Sequence, residues 1–108
     1  MNSEQIEKFK QEIECIIEEK NYISLRYVLF DETNRTPFAV HIFYKDGLFM
    51  VNSRDERGYK IGRTFEFDNF SEAEKKFFNV LDFIVREGRR DISNRGSYMY
   101  SSPLWDKP

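Results

Sequence analysis

"HIFYKDGLFMVN", residues 41–52, decides the fold of this chain because it specifies a β-hairpin and the register of its two strands. Asp46-Gly47 can occupy the two positive-φ positions of a two-residue turn, and apolar residues alternate on both sides of it. The turn therefore predicts that Lys45 faces Leu48. Residues that oppose each other share a face of the sheet. The predicted core face carries Val40, Ile42, Tyr44, Phe49 and Val51.

Further strand-like runs lie on both sides of this hairpin. "YISLRYVLF" alternates and is rich in β-branched and aromatic residues, which predicts a first strand at about 22–30. The hairpin strands themselves are predicted at about 37–45 and 48–53. "YKIGRTFEF" predicts a fourth strand at about 59–67, in which Gly62 indicates a bulge. Turn residues separate the runs, so we expect a four-stranded antiparallel meander.

Two amphipathic helices are predicted, one before the first strand and one after the fourth. Isoleucine and phenylalanine recur at helical spacing over residues 4–20, behind a cap at Asn2 or Ser3. The capping box "SEAE" begins a second helix at 72–87, and Gly88 is its expected end. Both apolar stripes would cover one face of the sheet, which gives an α+β fold. Residues 89–108 are expected to form an irregular tail.

Length and composition favour one compact domain over residues 1–108, because 33% of the residues are charged and 17% are aromatic. The net charge of −2, without a long basic stripe, makes direct nucleic-acid binding an unfavoured function. Cys15 is the only cysteine and has isoleucines around it, which suggests a buried thiol in a reducing compartment. There is no signal-peptide core and no apolar run that could span a bilayer, so we expect a cytoplasmic protein without membrane contact.

The only histidine, His41, is predicted on the outer face of the sheet opposite Asn52. Neither residue supplies a nucleophile or a set of metal ligands, so an ordinary strand histidine is favoured over a catalytic one. Glu66 and Asp68 could form a carboxylate pair, but solvated side chains are the simpler interpretation. We therefore expect no enzyme activity, no metal and no cofactor.

Two charged clusters could instead bind a partner. Arg86, Arg89 and Arg90 suit phosphate, but their expected place at the end of a helix favours interaction with the helix dipole. The stretch from Arg54 to Arg57 mixes both signs, which favours a solvated turn, with a partner-binding edge as its rival.

The outer face of the predicted sheet is an apolar patch that needs a cover. It carries Phe43 and Met50, and such patches often mark interfaces. The aromatic tail could cover the patch, so we expect residues 96–108 to pack there, with Trp105 near Phe43 or Met50. An exposed recognition tail is the alternative.

The pattern "RTPFAVHIFYKDGLFMVNSRDERG" followed by "FEFDNFSEAEKKFFNVLDFI" resembles the small α+β immunity proteins of bacterial polymorphic-toxin and contact-dependent growth-inhibition systems. The resemblance covers residues 4–88. It implies a cytosolic protein that binds a cognate toxin domain, often a nuclease, and blocks its active site or its access to substrate. It implies no catalytic residues.

The candidate partner-binding residues come from the charge and aromatic pattern rather than from the resemblance. They are the acidic residues Asp31, Glu32, Asp55, Glu56, Glu66 and Asp68, the arginines Arg54 and Arg57, and the aromatic residues Tyr98, Tyr100 and Trp105. Carboxylates can meet the basic surface of a nuclease. The alternatives are a small nucleic-acid-binding regulator that uses the C-terminal arginines and aromatic residues, and a self-associating structural subunit. For an immunity protein, a monomer or weak dimer is expected in the free state.

Overall fold

A four-stranded sheet with two helices on one face forms the centre of the molecule, in a computed structural model that describes residues 1–96 and 98–106. The elements in chain order are α1 (Ser3–Lys20), β1 (Tyr27–Leu29), β2 (Val40–Lys45), β3 (Leu48–Arg54), β4 (Lys60–Phe67), α2 (Phe70–Arg95) and a short 3₁₀ helix (Pro103–Asp106). The α+β class expected from the sequence is confirmed.

The hairpin between β2 and β3 has the predicted register. Lys45 pairs with Leu48, and Asp46 and Gly47 take φ angles of 54° and 80° in the turn between them. β4 pairs antiparallel with β3, and the register shifts between Val51 and Ser53. Because Gly62 lies opposite this shift with a φ of 65°, the predicted irregularity in the fourth strand is confirmed.

β1 differs from the prediction in both length and direction. It has three residues and pairs parallel with β2, so the sheet is mixed and the expected all-antiparallel meander is wrong for this pair. Residues 22–26 are not extended, since the amide of Leu25 donates to the carbonyl of Tyr22 in a turn. After β1, Phe30 takes a φ of 56° and the chain runs back to the start of β2 before it pairs. An alternating pattern is compatible with either strand direction, so it could not distinguish the two.

Residues 31–38, here called the return segment, lie over the outer face of the sheet. The carbonyl of Glu32 accepts a hydrogen bond from Arg54, and the amide of Phe38 donates to the carbonyl of Asp55 at 2.9 Å. The return segment therefore covers part of the face that we expected the tail to cover. His41 and Phe43 on this face are 0% and 5% exposed.

α1 has the predicted extent and buries a narrow stripe against the sheet. Asn2 and Gln5 form a reciprocal capping box at its N-terminus, with hydrogen bonds of 2.9 and 3.1 Å. Ile13 and Ile17 are its buried residues. Cys15 lies off this stripe and is exposed, so the expected buried thiol is wrong.

α2 begins earlier and ends later than predicted. Its N-cap is Asn69 rather than Ser71, and the Asn69 side chain accepts from the amide of Glu72 at 2.9 Å. The helix continues through Gly88 and ends at Gly96, which has a φ of 76°. Gly88 is therefore not a helix stop.

The C-terminal tail packs on the helix side of the molecule. Leu104 and Trp105, each 4% exposed, belong to the same apolar cluster as Val40 and Phe77. The expected contact of Trp105 with Phe43 or Met50 on the outer face is therefore wrong. The part of that prediction that concerns Ser97, Lys107 and Pro108 lies outside the described residues.

Candidate functional site

The outer face of the sheet carries an open cavity of about 440 Å³, here called the outer cleft. Its lining residues are Glu32, Phe43, Lys45, Asp46, Met50, Asn52, Arg54, Lys60, Thr64 and Glu66. Nine of these ten positions lie on β2, β3, β4 or the hairpin turn, and Glu32 belongs to the return segment. Neither helix contributes a side chain to the cleft, so a rigid strand framework holds it open on the side away from the core.

Arg54 forms the floor of one end of the outer cleft. It is 9% exposed, and its Nε donates to Asn52 Oδ1 at 3.1 Å. Its two terminal nitrogens donate to the carbonyls of Gly58 and Glu32, each at 3.2 Å. One guanidinium thus ties β3, the β3–β4 turn and the return segment together. The expectation that Arg54 is a solvated loop residue is wrong, because the return segment covers it.

His41 lies beside Arg54 and is fully buried. The pKa of His41 is lowered to about 4 by burial and by the positive charge of Arg54, so the imidazole is neutral at pH 7. Its Nδ1 lies 3.5 Å from an Arg54 nitrogen, so an unprotonated Nδ1 can accept from the guanidinium. The ring opposes Asn52 as predicted. Among the described residues, Arg54 is the hydrogen-bond partner of its ring, so His41 serves as part of the buried support of Arg54.

The turn between β3 and β4 is organised by Asp55. Its Oδ1 accepts from the amides of Arg57 and Tyr59 at 2.8 and 3.0 Å. Gly58 has a φ of 80°, and a Cβ atom there would overlap the carbonyl of Arg35 in the return segment. Glu56 and Arg57 are exposed, whereas Asp55 is half-buried. Of the predicted cluster, these two side chains are the ones free to meet a partner.

The structure brings three of the predicted site residues together and leaves the others apart. Glu32, Arg54 and Glu66 line the outer cleft. The remaining acidic residues and the tail aromatics are outside its lining. Within the described residues, no group of three or more His, Cys, Asp or Glu side chains is placed to hold a metal ion.

Sequence reasoning missed Lys45, Asp46, Lys60 and Thr64 as members of the site. Lys45 and Asp46 flank the hairpin turn, so the predicted register already placed them at the end of the outer face. Lys60 and Thr64 depend on the pairing between β3 and β4. That pairing is offset at the bulge, and a sequence alone gives no measure of the offset.

The tail aromatics occupy a different region. Trp105 Nε1 donates to the carbonyl of Tyr100 at 2.6 Å, and the Tyr98 ring meets the indole edge to face at 5.1 Å. The Tyr100 hydroxyl accepts from the amide of Arg26 at 3.1 Å. Burial raises the pKa of Tyr98 to about 12. These contacts are those of a docked segment.

The arginines of α2 are not at its end, so their expected role at the helix C-terminus is wrong. Arg89 Nε donates to the carbonyl of Leu104 at 3.0 Å and holds the tail. Arg90 pairs with Glu87 on the same helix. These arginines lie inside the helix rather than at its end because α2 continues past Gly88 to Arg95.

A family model described as Immunity protein 59 matches residues 6–106 of the chain. The chain belongs to the Immunity protein 59 family. The resemblance to immunity proteins that the sequence carries is thereby confirmed, and family membership implies a cognate toxin as the partner that the protein neutralises. Immunity proteins are generally not catalysts, which agrees with the buried state of His41.

No curated protein and no solved structure shows a significant match to this immunity protein. No helix in the part of the chain that the structure describes is long and apolar enough to cross a membrane.

Proposed function

We propose that this immunity protein binds a cognate toxin domain, a nuclease, in the cytosol and blocks its active site or its access to substrate. It acts in a polymorphic-toxin system of the contact-dependent growth-inhibition type, and it is a monomer or weak dimer before it binds. The observation that supports this function is the outer cleft, an uncovered concave surface on a member of an immunity-protein family.

The outer cleft has the composition of a protein-binding surface. Met50 is half-buried beside Phe43 in its centre, and charged side chains surround them. Specific interfaces combine an apolar centre with a polar rim in the same way. The floor is held by β-strand pairing and by the hydrogen bonds of Arg54, so little conformational entropy is lost on binding.

The nuclease target is supported by the exposed acidic residues around the sheet. Glu66 lines the cleft, Asp31 follows β1 and Asp68 follows β4, and all three side chains are exposed. A nuclease presents a basic surface to phosphate, and carboxylates placed opposite that surface accelerate encounter and exclude substrate.

The proposed mechanism is binding alone. His41 is 0% exposed and neutral at pH 7, and within the described residues the hydrogen-bond partner of its ring is Arg54. We therefore expect no turnover by the immunity protein itself when it is incubated with nucleic acid, ester or peptide substrates. Turnover that a His41→Ala substitution removes would contradict binding alone.

The experiment uses the toxin domain encoded beside the immunity gene. Met50→Arg places a charged chain in the centre of the outer cleft, and Phe83→Arg places the same chain on α2, where Phe83 is 53% exposed. Each variant is co-expressed with the toxin domain, and nuclease activity and cell survival are measured. We expect Met50→Arg to lose protection and Phe83→Arg to keep it.

Thermal unfolding of both variants separates loss of binding from loss of folding. A folded Met50→Arg protein that still protects cells would place the interface elsewhere. A toxin domain that cleaves no nucleic acid would remove the nuclease class but leave toxin binding in place.

A further inference from the structure

One end of the outer cleft carries two cations, and the negative charge of Glu32, which acts on Arg54 without forming an ion pair, offsets them only in part. Arg54 and Lys60 are directly paired positions on β3 and β4, and both line the cleft. Within the described residues neither of them forms an ion pair. Like charges opposite each other in a sheet repel. Arg54 is 9% exposed, and neutral groups of Asn52, Gly58 and Glu32 are its hydrogen-bond acceptors. This end of the cleft therefore favours an incoming anionic group.

The other end of the cleft has the opposite sign. Asp46 lies in the hairpin turn and Glu66 lies opposite Met50, and neither forms an ion pair within the described residues. The remaining two charges of the cleft cancel, since Lys45 Nζ lies 3.4 Å from Glu32 Oε2. The hairpin end therefore favours an incoming cation.

The separation between the two ends follows from strand geometry. Arg54 and Met50 are four residues apart on β3, which corresponds to about 13 Å in an extended chain. Glu66 sits beside Met50 because these two positions are paired. The cleft is thus basic at the Arg54 end, whereas Glu66 beside Met50 and Asp46 in the hairpin turn make its other part acidic.

We propose that the outer cleft selects its toxin partner by charge order: a toxin segment places a carboxylate at Arg54 and Lys60, an apolar side chain at Met50, and a basic side chain at Asp46 and Glu66. This inference rests on the proposed function and adds the chemistry of the partner. A nuclease whose surface is uniformly basic complements only the acidic end of the outer cleft. The basic end of the cleft needs a carboxylate on the partner, and this requirement distinguishes the cognate toxin from other nucleases. Reversed charges cost affinity, which is how such surfaces reject wrong partners.

The test measures the dissociation constant of the purified complex with the inactivated toxin domain from the neighbouring gene. Lys60→Glu and Glu66→Lys reverse one end each, and both side chains are exposed, so folding is preserved. Lys60→Gln and Glu66→Gln remove each charge with little change of shape. Lys8→Glu and Glu7→Lys on α1 repeat the changes in net charge on the opposite side of the molecule. We expect each cleft reversal to weaken binding roughly tenfold, each glutamine variant to weaken it less, and the α1 controls to bind as wild type.

The outcomes separate the two proposals. If the wild-type protein does not bind the toxin domain, the proposed function itself fails. If it binds, but Lys60→Glu leaves the affinity unchanged or increases it, the toxin surface is basic throughout and the charge order is wrong. An unchanged affinity for Glu66→Lys, or equal losses in the α1 controls, also overturns the charge order while toxin binding stands.

Discussion

The indole ring of Trp105 lies directly on α2 at Gly88, so closely that a Cβ atom at position 88 would overlap the ring. Trp105 is 4% exposed, and the neighbouring Leu104 is buried in the same cluster. The absent side chain at Gly88 is what lets the tail seal this edge of the core. A glycine inside a long helix is otherwise unfavourable, by about 1 kcal/mol relative to alanine.

Gly88→Ala tests this contact because two effects would change the free energy of unfolding in opposite directions. Helix propensity alone would stabilise the variant by about 1 kcal/mol. Displacement of the indole from a well-packed core costs about 1–3 kcal/mol. We expect the second effect to dominate and the free energy of unfolding in urea to fall. Ser93→Ala, at an exposed position of the same helix, is the control and should not be destabilised. A Gly88→Ala protein more stable than wild type by the full propensity gain of about 1 kcal/mol would mean that the tail does not dock at this position.

Arg54→Ala is expected to be among the most destabilising single substitutions in the sheet. It leaves the buried acceptors on Asn52, Gly58 and Glu32 without their donor. Since an unsatisfied buried polar group costs about 1–3 kcal/mol, we expect a total loss of about 2–4 kcal/mol after partial relaxation. Arg57→Ala is the matched control. Its side chain is exposed, so its substitution should change stability by less than about 0.5 kcal/mol. Equal stabilities of the two variants in urea would argue against Arg54 as the organiser of the outer face.

The parts of the fold that were predictable from the sequence are those that depend on neighbours in the chain. The Asp46-Gly47 turn fixes the β2–β3 register locally, and the stripe of α1 follows from helical spacing. The direction of β1 and the continuation of α2 past Gly88 depend on distant contacts. The β1 alternation has the same form for either direction, and Gly88 resembles a helix stop unless Trp105 is known to pack there.

In the candidate site, too, local sequence predicted some features, and distant contacts determined the others. Charge patterning selected Glu32, Arg54 and Glu66, but it treated Arg54 as exposed because nothing local indicates that the return segment crosses it. Lys60 was not selected, since its pairing with Arg54 follows from the β3–β4 register. A bulge offsets that register. The side chains of the cleft could therefore be named in part, and their arrangement could not.

Glu74 makes stability depend on pH in an unusual direction for a carboxylate. Burial, followed by the hydrogen bond and the negative charge of Glu12, raises the pKa of Glu74 from 4.5 to about 8. The folded protein therefore holds a proton that the unfolded chain has released above about pH 4.5. This contribution to stability is complete below the unfolded pKa and is lost as the pH rises toward 8. We expect the melting temperature of the wild type to fall between pH 5 and pH 8 through this group.

Glu74→Gln checks that assignment because the amide stays neutral and can still donate to Glu12. The variant should lose part of the fall in melting temperature between pH 5 and pH 8, and it should gain most relative to wild type at pH 8. Glu14→Gln, at an exposed position of α1, should keep the slope of the wild type. Parallel pH profiles for Glu74→Gln and wild type would show that Glu74 is ionised in the folded state.

Asp55 and Glu56 are adjacent acidic residues, and replacement by alanine should destabilise the protein at Asp55 but not at Glu56. The sequence favoured a solvated turn for both, but Asp55 accepts two amide hydrogen bonds that set the β3–β4 turn, and Glu56 is exposed. Asp55→Ala should therefore lower the free energy of unfolding by about 1–2 kcal/mol, whereas Glu56→Ala should leave it within about 0.5 kcal/mol. Asp55→Asn keeps one side-chain acceptor, so its stability should fall between those of the two alanine variants.

Because the turn also positions Arg54 and Lys60, a loss of protection in Asp55 variants should follow their loss of stability across temperature. A Glu56 variant that protects less while remaining fully stable would instead identify Glu56 as a direct contact with the toxin domain. If Asp55→Ala unfolds at the same urea concentration as Glu56→Ala, the turn does not depend on the Asp55 hydrogen bonds, and the original view of a solvated loop is correct for both residues.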